Sequence, residues 1–505
     1  MIPLLSREAV RALDADAVAR LGVPSCLLME NAGRGAFEQL RARFSEQLDR
    51  VLIVGGVGQN GGDGWVVARH LLLAGKQPRC LLIGERAKLR GDALLNLTAL
   101  ERLRGPVTSI AGTDLGALEA ALPSASLIVD GLFGTGLDRP VSGAYAAAIE
   151  RINQAAAPRV ALDIPSGIDA NSGAVLGVAV QAALTVTFAA HKRGLHQHPG
   201  AAHAGLVELA HIGVPGPQHD AYAALEASDV ADALPLRAAD THKGRGGHVL
   251  VVAGAPGRTG ACVLSGLGAL RAGAGLVTLC PRAGARAALD AKVLELMTTD
   301  LPAGLEDAVA HVSAEMEGKQ AAVIGPGLGT DEQGAELARR LSLGLRTPCV
   351  LDADALTAWA RRSSELRAAS GPRILTPHPA EAARLLGCST EQVQADRYAA
   401  ATRLAADSGA VVVLKGARSV IADANGEVRV CPLDVPALAV AGTGDVLAGV
   451  IAALATQLPP LMAAGCGVYL HARAGALAAS GDRGLLAHEV ADALPRALHA
   501  CRTHS

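Results

Sequence analysis

Residues 441–450 read Ala-Gly-Thr-Gly-Asp-Val-Leu-Ala-Gly-Val, and this stretch decides the fold of the second half of the chain. The glycine-rich turn ends in Asp445 and continues directly into an apolar helical pattern that reaches Leu454. A helix start without large side chains presents free backbone N–H groups and the positive end of the helix dipole, so we expect an anion to bind there. Asp445 would then take a proton from a hydroxyl group that meets a phosphoryl group. The alternative is that Asp445 only caps the helix.

The composition of the chain excludes several classes of protein. Its 505 residues exceed what one hydrophobic core normally accommodates, which predicts at least two domains. Lys and Arg total 46 against 48 Asp and Glu, with no basic stripe or aromatic platform, so no nucleic-acid partner is expected. Nine scattered cysteines without metal-ligand spacing indicate reduced thiols. Because no signal-like N-terminus or membrane-length apolar run is present, we expect a cytoplasmic protein without a membrane partner.

Short apolar strands alternate with helical patterns in both halves of the chain. In the first half the predicted strands are 51–54, 80–83, 127–129 and 160–163, and the predicted helices are 66–73 and 144–153. In the second half the predicted strands are 248–253, 275–280, 321–324, 349–351 and 411–415, and the predicted helices are 261–272 and the one after Asp445. This alternation is typical of doubly wound α/β domains, which bind ligands at the carboxyl ends of their strands. Prolines interrupt the alternation, and we place the domain boundary within 212–240.

A glycine cluster follows the predicted strand 51–54 and extends from Gly55 to Gly64. Gly56, Gly58 and Gly61 match the dinucleotide-binding pattern GxGxxG in its strand-turn-helix context. The turn is predicted to continue through Gly64, and it contains Asn60 and Asp63, which a phosphate-binding turn does not need. These polar side chains favour a site that recognises polar groups of a ligand or binds a cation. The alternative is a tight turn with a purely structural role.

Two further strands end in polar residues at the same edge of the predicted sheet. Asp130 follows strand 127–129, and Asp163 ends strand 160–163 shortly before Ser166. Because parallel strands present their carboxyl ends side by side, we expect these residues to share one cleft with Asn60 and Asp63. Oxygen ligands without His or Cys suit a hard cation such as K⁺ or Mg²⁺. Each aspartate taken alone is also consistent with a helix cap.

Motifs from both halves carry a resemblance to known enzymes. Four segments of the first half are Leu28-Met29-Glu30-Asn31-Ala32-Gly33, Gln59-Asn60-Gly61-Gly62-Asp63-Gly64, Asp130-Gly131-Leu132-Phe133-Gly134-Thr135-Gly136 and Asp163-Ile164-Pro165-Ser166-Gly167. They resemble the NAD(P)H-hydrate epimerase family. Five segments of the second half are His242-Lys243-Gly244, Gly325-Pro326-Gly327-Leu328-Gly329, Thr376-Pro377-His378-Pro379-Ala380-Glu381, Leu414-Lys415-Gly416-Ala417 and Gly442-Thr443-Gly444-Asp445. They resemble the ADP-dependent NAD(P)H-hydrate dehydratase family, and the order of all nine is that of bifunctional bacterial NAD(P)H-hydrate repair enzymes.

The resemblance implies the fold and the division of the chain. It implies a Rossmann-like doubly wound epimerase domain over residues 1–215, a linker over 216–240, and a ribokinase-like α/β dehydratase domain over 241–505. The first domain would interconvert the R and S forms of NADHX and NADPHX, which carry water at C6 of the nicotinamide ring. The second would dehydrate the S form at the expense of ADP, giving AMP, phosphate and the restored cofactor. A homo-oligomer is also expected.

The resemblance also implies the site residues of the first domain. K⁺ would be held by Asn60, Asp130 and Ser166. The hydrated cofactor would be held by Gln59, Asn60, Gly61, Gly62, Asp63, Gly134, Thr135, Gly136, Leu137, Asp138, Arg139, Pro140 and Asp163. The family usually has Asn where this chain has Gln59, which lengthens the amide arm at that position. Chemically, a hemiaminal carbon loses its configuration by ring opening or by loss of its oxygen, and Asp163 is the candidate catalytic carboxylate that moves the proton.

In the second domain the resemblance implies a nucleotide site beside a substrate site. Asp445 would be catalytic, and the hydrated cofactor would contact Ala261, Gly327, His378 and Asp445. ADP, with Mg²⁺, would contact Lys415, Gly416, Ala417, Arg418, Ser419 and Gly444. Arg418-Ser419 stands where the family often has Gly-Thr, which keeps a hydroxyl but adds bulk and positive charge. Hydroxide leaves poorly whereas a phosphate ester leaves easily, which explains why a nucleotide is needed, and the N–H groups of 442–444 would stabilise the developing charge.

Three other functions are compatible with parts of the sequence. A kinase for a hydroxymethyl pyrimidine, a thiazole or a sugar would use the Gly-Thr-Gly-Asp turn equally well, although the loops at 325–327 and 376–379 disfavour it. The first half could instead be a non-catalytic binding module, as glycine-rich domains of this kind can be. An ordinary NAD dehydrogenase is weakened by the lack of an evident hydride-transfer His or Tyr-Lys pair.

Overall fold

The computed structural model describes residues 1–217 and 220–503. The chain forms two compact units, one over Pro3–Asp220 and one over Ala221–Ser505 together with Met1–Ile2. Both units are α/β, as the alternation of strands and helices predicted. All nine cysteines are free thiols, and seven of them are buried, which agrees with the prediction of reduced cysteines.

The elements of the first unit follow one another as strands and crossover helices. They are β1 (Ile2–Leu5), α1 (Arg7–Ala19), α2 (Ser25–Arg43), β2 (Val51–Gly55), α3 (Gln59–Leu73), β3 (Arg79–Ile83), α4 (Gly91–Arg102), β4 (Val107–Ile110), α5 (Gly116–Ala121), β5 (Leu127–Gly131), α6 (Gly143–Gln154), β6 (Arg159–Leu162), β7 (Leu184–Phe188), β8 (His191–Lys192), α7 (Gly200–Ala204) and β9 (Leu206–Ala210).

The sheet of the first unit is parallel and covered on both faces. Its strand order is β4-β3-β2-β5-β6-β7-β9, and β1 pairs with β8 apart from it. Alternate residues of β2 point to opposite faces, so Ile53 packs into one apolar cluster while Leu52 and Val54 pack into another. The chain order reverses between β2 and β5, where doubly wound sheets bind their ligands. The predicted glycine cluster and Asp130 lie at these two strand ends.

The second unit also alternates strands and helices, with a longer series of elements. They are β10 (Tyr222–Ala224), α8 (Ala227–Ala233), β11 (His248–Val252), α9 (Thr259–Arg271), β12 (Leu276–Leu279), α10 (Arg286–Asp290), β13 (Met297–Thr298), α11 (Leu305–Glu315), β14 (Ala321–Ile324), α12 (Glu332–Gly344), β15 (Cys349–Leu351), α13 (Asp354–Thr357), β16 (Arg373–Leu375), α14 (Pro379–Leu386), α15 (Thr390–Ala395), α16 (Arg397–Ser408), β17 (Val411–Leu414), β18 (Val420–Ala422), β19 (Val428–Val430), α17 (Thr443–Ala455), α18 (Pro460–Ala478) and α19 (Ala487–Thr503).

Strands β13-β12-β11-β14-β15-β16-β17 of the second unit are mutually parallel, and β18, β19 and β10 extend the sheet beyond β17. Helix α17 packs on α9 with the two backbones in close contact. A Cβ added at Gly449 would overlap the carbonyl oxygen of Ser265, and one added at Gly268 would overlap the carbonyl oxygen of Val446. Glycine is therefore required at both positions for this distance between the helices.

The predicted linker 216–240 contains regular structure. Strand β10 and helix α8 both lie in it and belong to the second unit. Glu226 and Asp229 form a capping box that starts α8, and the prolines at 215, 217 and 235 flank this segment without interrupting it. Residues 218 and 219 of the predicted linker lie outside the described residues. The division into 1–215, 216–240 and 241–505 stays a prediction.

Candidate functional sites

The turn after β2 is shorter than the sequence suggested. The predicted turn through Gly64 is wrong in its second half, because α3 already begins at Gln59, with Gly58 as the N-cap. The glycines inside the helix allow close packing: a Cβ at Gly61 would overlap the carbonyl oxygen of Gly56, and one at Gly62 would lie 2.6 Å from the sulfur of Met29. Helix α3 therefore starts directly at the site.

A cavity of about 860 Å³ lies at the carboxyl ends of the first unit's strands. Most of the residues predicted to hold the substrate line it, namely Gln59, Asn60, Asp63, Gly134, Thr135, Gly136, Leu137, Asp138, Arg139, Pro140 and Asp163. Gly61 and Gly62 face protein atoms instead. Asp130 and Ser166 were expected in the same cleft, but both are fully buried behind it. The lining also includes Asp14 and Lys192, which the sequence analysis missed.

Asp130 and Ser166 form one hydrogen-bonded cluster below the cavity. The Ser166 hydroxyl donates to Asp130 Oδ1 at 2.6 Å, and the Ser166 N–H donates to Asp130 Oδ2 at 2.9 Å. The N–H of Phe133 donates to Ser166 Oγ at 2.8 Å. Burial raises the pKa of Asp130 to about 6, although the hydrogen bonds from Ser166 and Leu132 lower it. The sheet thus holds a carboxylate in its interior.

Asn60 has the properties expected of a ligand for a cation. Its side chain is buried, and neither its oxygen nor its nitrogen has a hydrogen-bond partner within the described part of the chain. A Cβ added at Gly134 would lie 3.4 Å from Asn60 Oδ1, so the amide reaches the loop that follows Asp130. A buried polar atom without a partner is costly, and a bound cation would satisfy this oxygen. The donor set of amide, carboxylate and hydroxyl oxygens fits a hard cation such as K⁺.

Asp163 is held by an ion pair with Lys192, which is completely buried. Lys192 also donates to Thr187 Oγ1 at 2.9 Å and to the carbonyl oxygen of Phe188 at 2.7 Å. Asp163 has a φ of +67°, a conformation that non-glycine residues rarely adopt. Such strain at a cavity wall persists only where the surroundings fix the residue, and it is common at functional sites.

Asp63 and Asp14 complete the charged wall of this cavity. Asp63 is buried near Asp163, and burial together with the negative charges of Asp163 and Asp14 raises its pKa well above its usual value. The carboxyl groups of Asp14, Asp63 and Asp163 and the ammonium group of Lys192 therefore all line this cavity. A carboxyl group with a raised proton affinity beside an anchored carboxylate is an arrangement that can move protons.

The second unit places Asp445 in the first turn of α17, as predicted. Gly442 is the N-cap with a φ of +92°, so the turn needs glycine there. Burial and the neighbouring charge of Asp352 raise the pKa of Asp445 to about 7, while Lys415 opposes the shift. Asp445 is thus a carboxylate with the proton affinity suited to a general base near neutral pH.

Lys415 and Asp352 form the ionic centre of this second site. Lys415 Nζ lies 2.8 Å from Asp352 Oδ1 and 4.0 Å from Glu381 Oε2. Burial lowers the pKa of Lys415, but Asp352 and Glu381 outweigh it and raise the pKa overall. A Cβ added at Gly444 would lie 3.3 Å from Lys415 Nζ, so this ammonium group faces the start of α17. The predicted nucleotide residues Lys415 and Gly444 are therefore neighbours.

The sequence analysis missed Asp352 although it follows the strand β15 as directly as Asp130 follows its strand. Asp352 is 2% exposed and also accepts a hydrogen bond from Thr376 Oγ1 at 2.8 Å. Thr376 follows β16, a strand that was not predicted. The rule that polar residues at strand ends form sites would have found Asp352.

His378 starts helix α14 as its N-cap. Its Nδ1 accepts hydrogen bonds from the N–H groups of Ala380 at 3.2 Å and Glu381 at 3.3 Å. Burial and the charge of Lys415 lower the pKa of His378, which keeps the imidazole neutral. The structure thus gives His378 a capping role beside Lys415, and the predicted substrate contact remains untested.

Gly327 and Ala261 lie together, as expected for residues of one substrate site. A Cβ added at Gly327 would lie 3.3 Å from the Cβ of Ala261 and 3.0 Å from the carbonyl oxygen of Arg258. Arg258 Nη1 is 3.6 Å from Asp354, whose carboxylate also accepts from the Gly329 N–H. The charge of Asp354 contributes to the raised pKa of Asp445, so this group is electrostatically linked to Asp445.

The loop after β17 carries the rest of the predicted nucleotide residues, Lys415, Gly416, Ala417, Arg418 and Ser419. Gly416 has a φ of +147°, and a Cβ added there would overlap the guanidinium group of Arg397. Arg397 donates to the carbonyl oxygen of Leu414 at 3.1 Å. The Arg418 side chain forms an ion pair with Asp434 at 2.9 Å. The additional positive charge relative to the family pattern is thus paired within the protein.

No helix within 1–217 or 220–503 is long and apolar enough to cross a membrane. In the same residues, His, Cys, Asp and Glu side chains form no group of three that could hold a metal ion.

Fold and sites together define an α/β enzyme with two separate carboxylate–lysine centres, one in each compact unit. The family described as "YjeF-related protein N-terminus" matches residues 25–194, and the family described as "NAD(P)H-hydrate dehydratase" matches residues 249–496. A bifunctional NAD(P)H-hydrate repair enzyme of Moorella thermoacetica is 42% identical over 98% of this chain and 96% of its own length. The chain belongs to the family of bifunctional NAD(P)H-hydrate repair enzymes.

Two other known proteins extend the comparison. The bifunctional NAD(P)H-hydrate repair enzyme of Escherichia coli is 35% identical over 97% of this chain and 92% of its own length. An ADP/ATP-dependent NAD(P)H-hydrate dehydratase of Bacillus subtilis, crystallised with ATP and Mg²⁺, is 34% identical and covers 54% of this chain and 96% of its own, with a TM-score of 0.48.

Proposed function

We propose that this chain repairs hydrated nicotinamide cofactors with one activity in each unit. The first unit exchanges the R and S forms of NADHX and NADPHX, and the second converts the S form to NADH or NADPH while ADP becomes AMP and phosphate. The observation that carries this proposal is the similarity to bifunctional repair enzymes over 98% of the chain, which spans both units. The two carboxylate–lysine centres support it, because each reaction needs a group that moves a proton.

In the first unit the proposed substrate lies in the 860 Å³ cavity, against the start of α3 and the loop 134–140. Asn60, Asp130 and Ser166 hold K⁺ below the cavity, and the unpartnered oxygen of Asn60 supports this assignment. When bound, K⁺ would supply a fixed positive charge at the start of α3. Gly61 and Gly62 allow the start of α3 to pack closely against Gly56 and Met29, which fixes the position of this helix start at the cavity.

Asp163 moves the proton in the proposed epimerisation. The C6 carbon of the hydrated ring bears a hydroxyl group and the ring nitrogen, so it loses its configuration when one of these bonds breaks. A carboxylate at the cavity wall that takes the hydroxyl proton and returns it assists ring opening and reclosure. The anchoring of Asp163 by Lys192 supports this role.

In the second unit Asp445 takes the C6 hydroxyl proton while the oxygen attacks the terminal phosphoryl group of ADP. The phosphate group then leaves with the electron pair of the C6–O bond, assisted by the ring nitrogen. Loss of a proton from C5 to solvent restores the C5–C6 double bond of NADH or NADPH. The N–H groups of Gly442–Gly444 stabilise the transferring group, and Lys415 through Ser419 hold the nucleotide, which carries Mg²⁺. Ala261, Gly327 and His378 hold the hydrated cofactor. The pKa of about 7 for Asp445 supports its role as a base.

The proposal is tested with a mixture of R and S hydrates, ADP or ATP, and the full chain. Wild type should restore the reduced-cofactor absorbance completely. Asp445→Ala should stop the recovery but still exchange the epimers, and Asp163→Ala should limit prompt recovery to the S fraction. General-base removal typically costs about 10²- to 10⁴-fold in rate. Recovery by wild type that stops at the S fraction, or a phosphorylated product that accumulates, would contradict the proposal.

Two properties of the whole protein complete the proposal. We expect it to act in the cytoplasm, where the reduced cofactors are used, and the free state of all nine cysteines is compatible with that compartment. A homo-oligomer is expected from the resemblance, and light scattering of the purified chain would establish the number of copies.

A further inference from the structure

Lys192 is a buried ammonium group whose three protons are all used. Its side chain is 0% exposed. It donates to one carboxylate oxygen, Asp163 Oδ1, to the hydroxyl of Thr187 and to the carbonyl oxygen of Phe188. A lysine ammonium has three donors, so none is left for a ligand in the cavity. Burying such a charge is costly, and these three contacts are what offsets the cost.

The two oxygens of Asp163 have different surroundings. Oδ1 accepts from Lys192 and, at 3.4 Å, from the N–H of Phe188. Oδ2 accepts no hydrogen bond from the residues that the structure describes, although Asp163 lines the cavity. The backbone N–H of Asp163 donates to the carbonyl oxygen of Val186 at 2.7 Å, which fixes the strained residue from the other side. One oxygen is therefore anchored, and the other is available to a ligand.

We propose that Lys192 is the positioning residue for epimerisation, holding Asp163 by one oxygen so that the other meets the C6 hydroxyl of the hydrated nicotinamide. The inference rests on the proposed function of the first unit. Asp163 Oδ2 takes the hydroxyl proton, the C6–N1 bond breaks with its electron pair moving onto N1 and the conjugated carboxamide, and C6–O becomes a carbonyl. Rotation about the open chain exposes the other face. N1 then attacks C6 again, and Asp163 returns its proton to the oxygen.

Lys192 also affects the electrostatic environment of Asp163, because other charged groups lie near this carboxylate. Asp63 on α3 and Asp14 on α1 both interact with Asp163 by charge repulsion, and Lys192 attracts all three carboxyl groups. Without the ammonium group, nothing in these interactions would offset the repulsion of Asp163 with Asp63 and Asp14. Lys192 therefore sets both the orientation and the electrostatic surroundings of the reacting carboxylate, without contact to the substrate.

Lys192→Met keeps the length of the side chain and removes its charge and donors. In the full chain we expect kcat for epimer exchange to fall about 100-fold, the size of a general-base contribution, with KM changed less than about threefold. Dehydration of pure S hydrate should stay at the wild-type rate, which shows that the second unit is intact. The matched control is Lys88→Met, which removes an exposed lysine of the same unit paired with Glu85, and its epimer exchange should equal wild type.

Two further measurements separate positioning from simple structural support. Asp163→Ala combined with Lys192→Met should be no slower than Asp163→Ala alone, because the lysine acts only through Asp163. Added ammonium or methylamine should partly restore Lys192→Ala but not Asp163→Ala. A purely structural lysine would give additive losses and no rescue, which would overturn the inference.

A second variant decides the case in which Lys192→Met does not fold. Thr187→Val removes one acceptor of Lys192 and leaves Asp163 itself unchanged, and it should lower kcat for exchange about three- to tenfold with unchanged KM. If Lys192→Met folds with wild-type kcat, or Thr187→Val exchanges as fast as wild type, Lys192 does not position Asp163. If wild type itself does not exchange epimers, the proposed function of the first unit is wrong as well.

Discussion

Both sites contain an ion pair between a lysine and an aspartate, but only in the first unit does this pair include the candidate catalytic aspartate. In the first unit the lysine contacts the candidate catalytic carboxylate directly, since Lys192 is paired with Asp163. In the second unit Lys415 is paired with Asp352, and the described residues give Asp445 no direct ion pair. Burial and the charge of Asp352 raise the pKa of Asp445 to about 7. The comparison shows that the lysine is the direct partner of the candidate catalytic carboxylate in one site, whereas in the other it is the partner of a neighbouring carboxylate, Asp352.

This difference fits the two proposed reactions. Epimer exchange needs a carboxylate that both takes and returns a proton at a fixed place, and an anchored oxygen provides the place. Phosphoryl transfer needs a base that binds the proton while negative charge arrives nearby, and a raised pKa provides the affinity. The lysine of the second site then remains available to the phosphates of the nucleotide.

The largest test of this contrast is the pH dependence of dehydration. Asp445 must be deprotonated to act as a base, and its raised pKa means that the active form is lost as the pH falls through about 7. Well below that value kcat/KM for pure S hydrate should drop about tenfold per pH unit, which gives a loss of about 100-fold between pH 8 and pH 5. Initial rates across this range measure it. A flat profile would show that Asp445 is not the base.

A smaller effect is expected from Gly416→Ala in the second site. The added Cβ would overlap the guanidinium group of Arg397, and the φ of +147° disfavours alanine. Backbone strain of this kind costs about 1–3 kcal/mol, so the apparent affinity for ADP should fall between about fivefold and 100-fold. Titration of ADP in the dehydration assay measures the change, and epimer exchange should not respond.

Gly481→Ala is the control for that variant, because a Cβ at Gly481 meets no atom within 4 Å. It should bind ADP as wild type does. Equal losses in both variants would show that the loop after β17 does not hold the nucleotide.

The smallest effect is expected from Arg7→Ala, which changes the support of the loop 134–140 at the first site. Arg7 Nη2 donates to the carbonyl oxygen of Leu137 at 2.5 Å and pairs with Asp169 at 2.7 Å. Arg7→Ala removes a hydrogen bond worth about 0.5–1.5 kcal/mol, so KM for epimer exchange should rise about two- to tenfold with little change in kcat. Arg20→Ala, at the exposed end of the same helix, is the control and should leave KM unchanged. A fall in kcat alone would mean that Arg7 acts on the chemistry and not on the loop.

Much of the fold was predictable from the sequence because parallel strands buried on both faces are continuous apolar runs. Strands β2, β5, β11 and β14 were placed within two residues of their observed ends. The start of α3 was not, because glycines have low helix propensity and only their close packing against Gly56, Met29 and Ile53 explains them. Asp14 lies within α1 and gives no strand-end signal at all.

Lys192 shows a different limit of sequence reasoning. Residues 184–190 alternate apolar residues with Thr185 and Thr187 before His191 and Lys192, and a lysine there is usually solvated. Its complete burial results from β8 lying beside β1 and near Asp163, which depends on long-range contacts. A lysine four residues after the end of the buried strand β7 is the one local signal that could have drawn attention to it.

The close approach of α9 and α17 has a consequence for how the second site can respond to its ligands. Backbone carbonyls stand where the Cβ atoms of Gly449 and Gly268 would be, so α17 cannot slide or tilt against α9 without a collision. The start of α17, with Asp445, is therefore held in a fixed position relative to α9. Any closure of this site around a bound nucleotide therefore has to come from movement of other segments of the second unit.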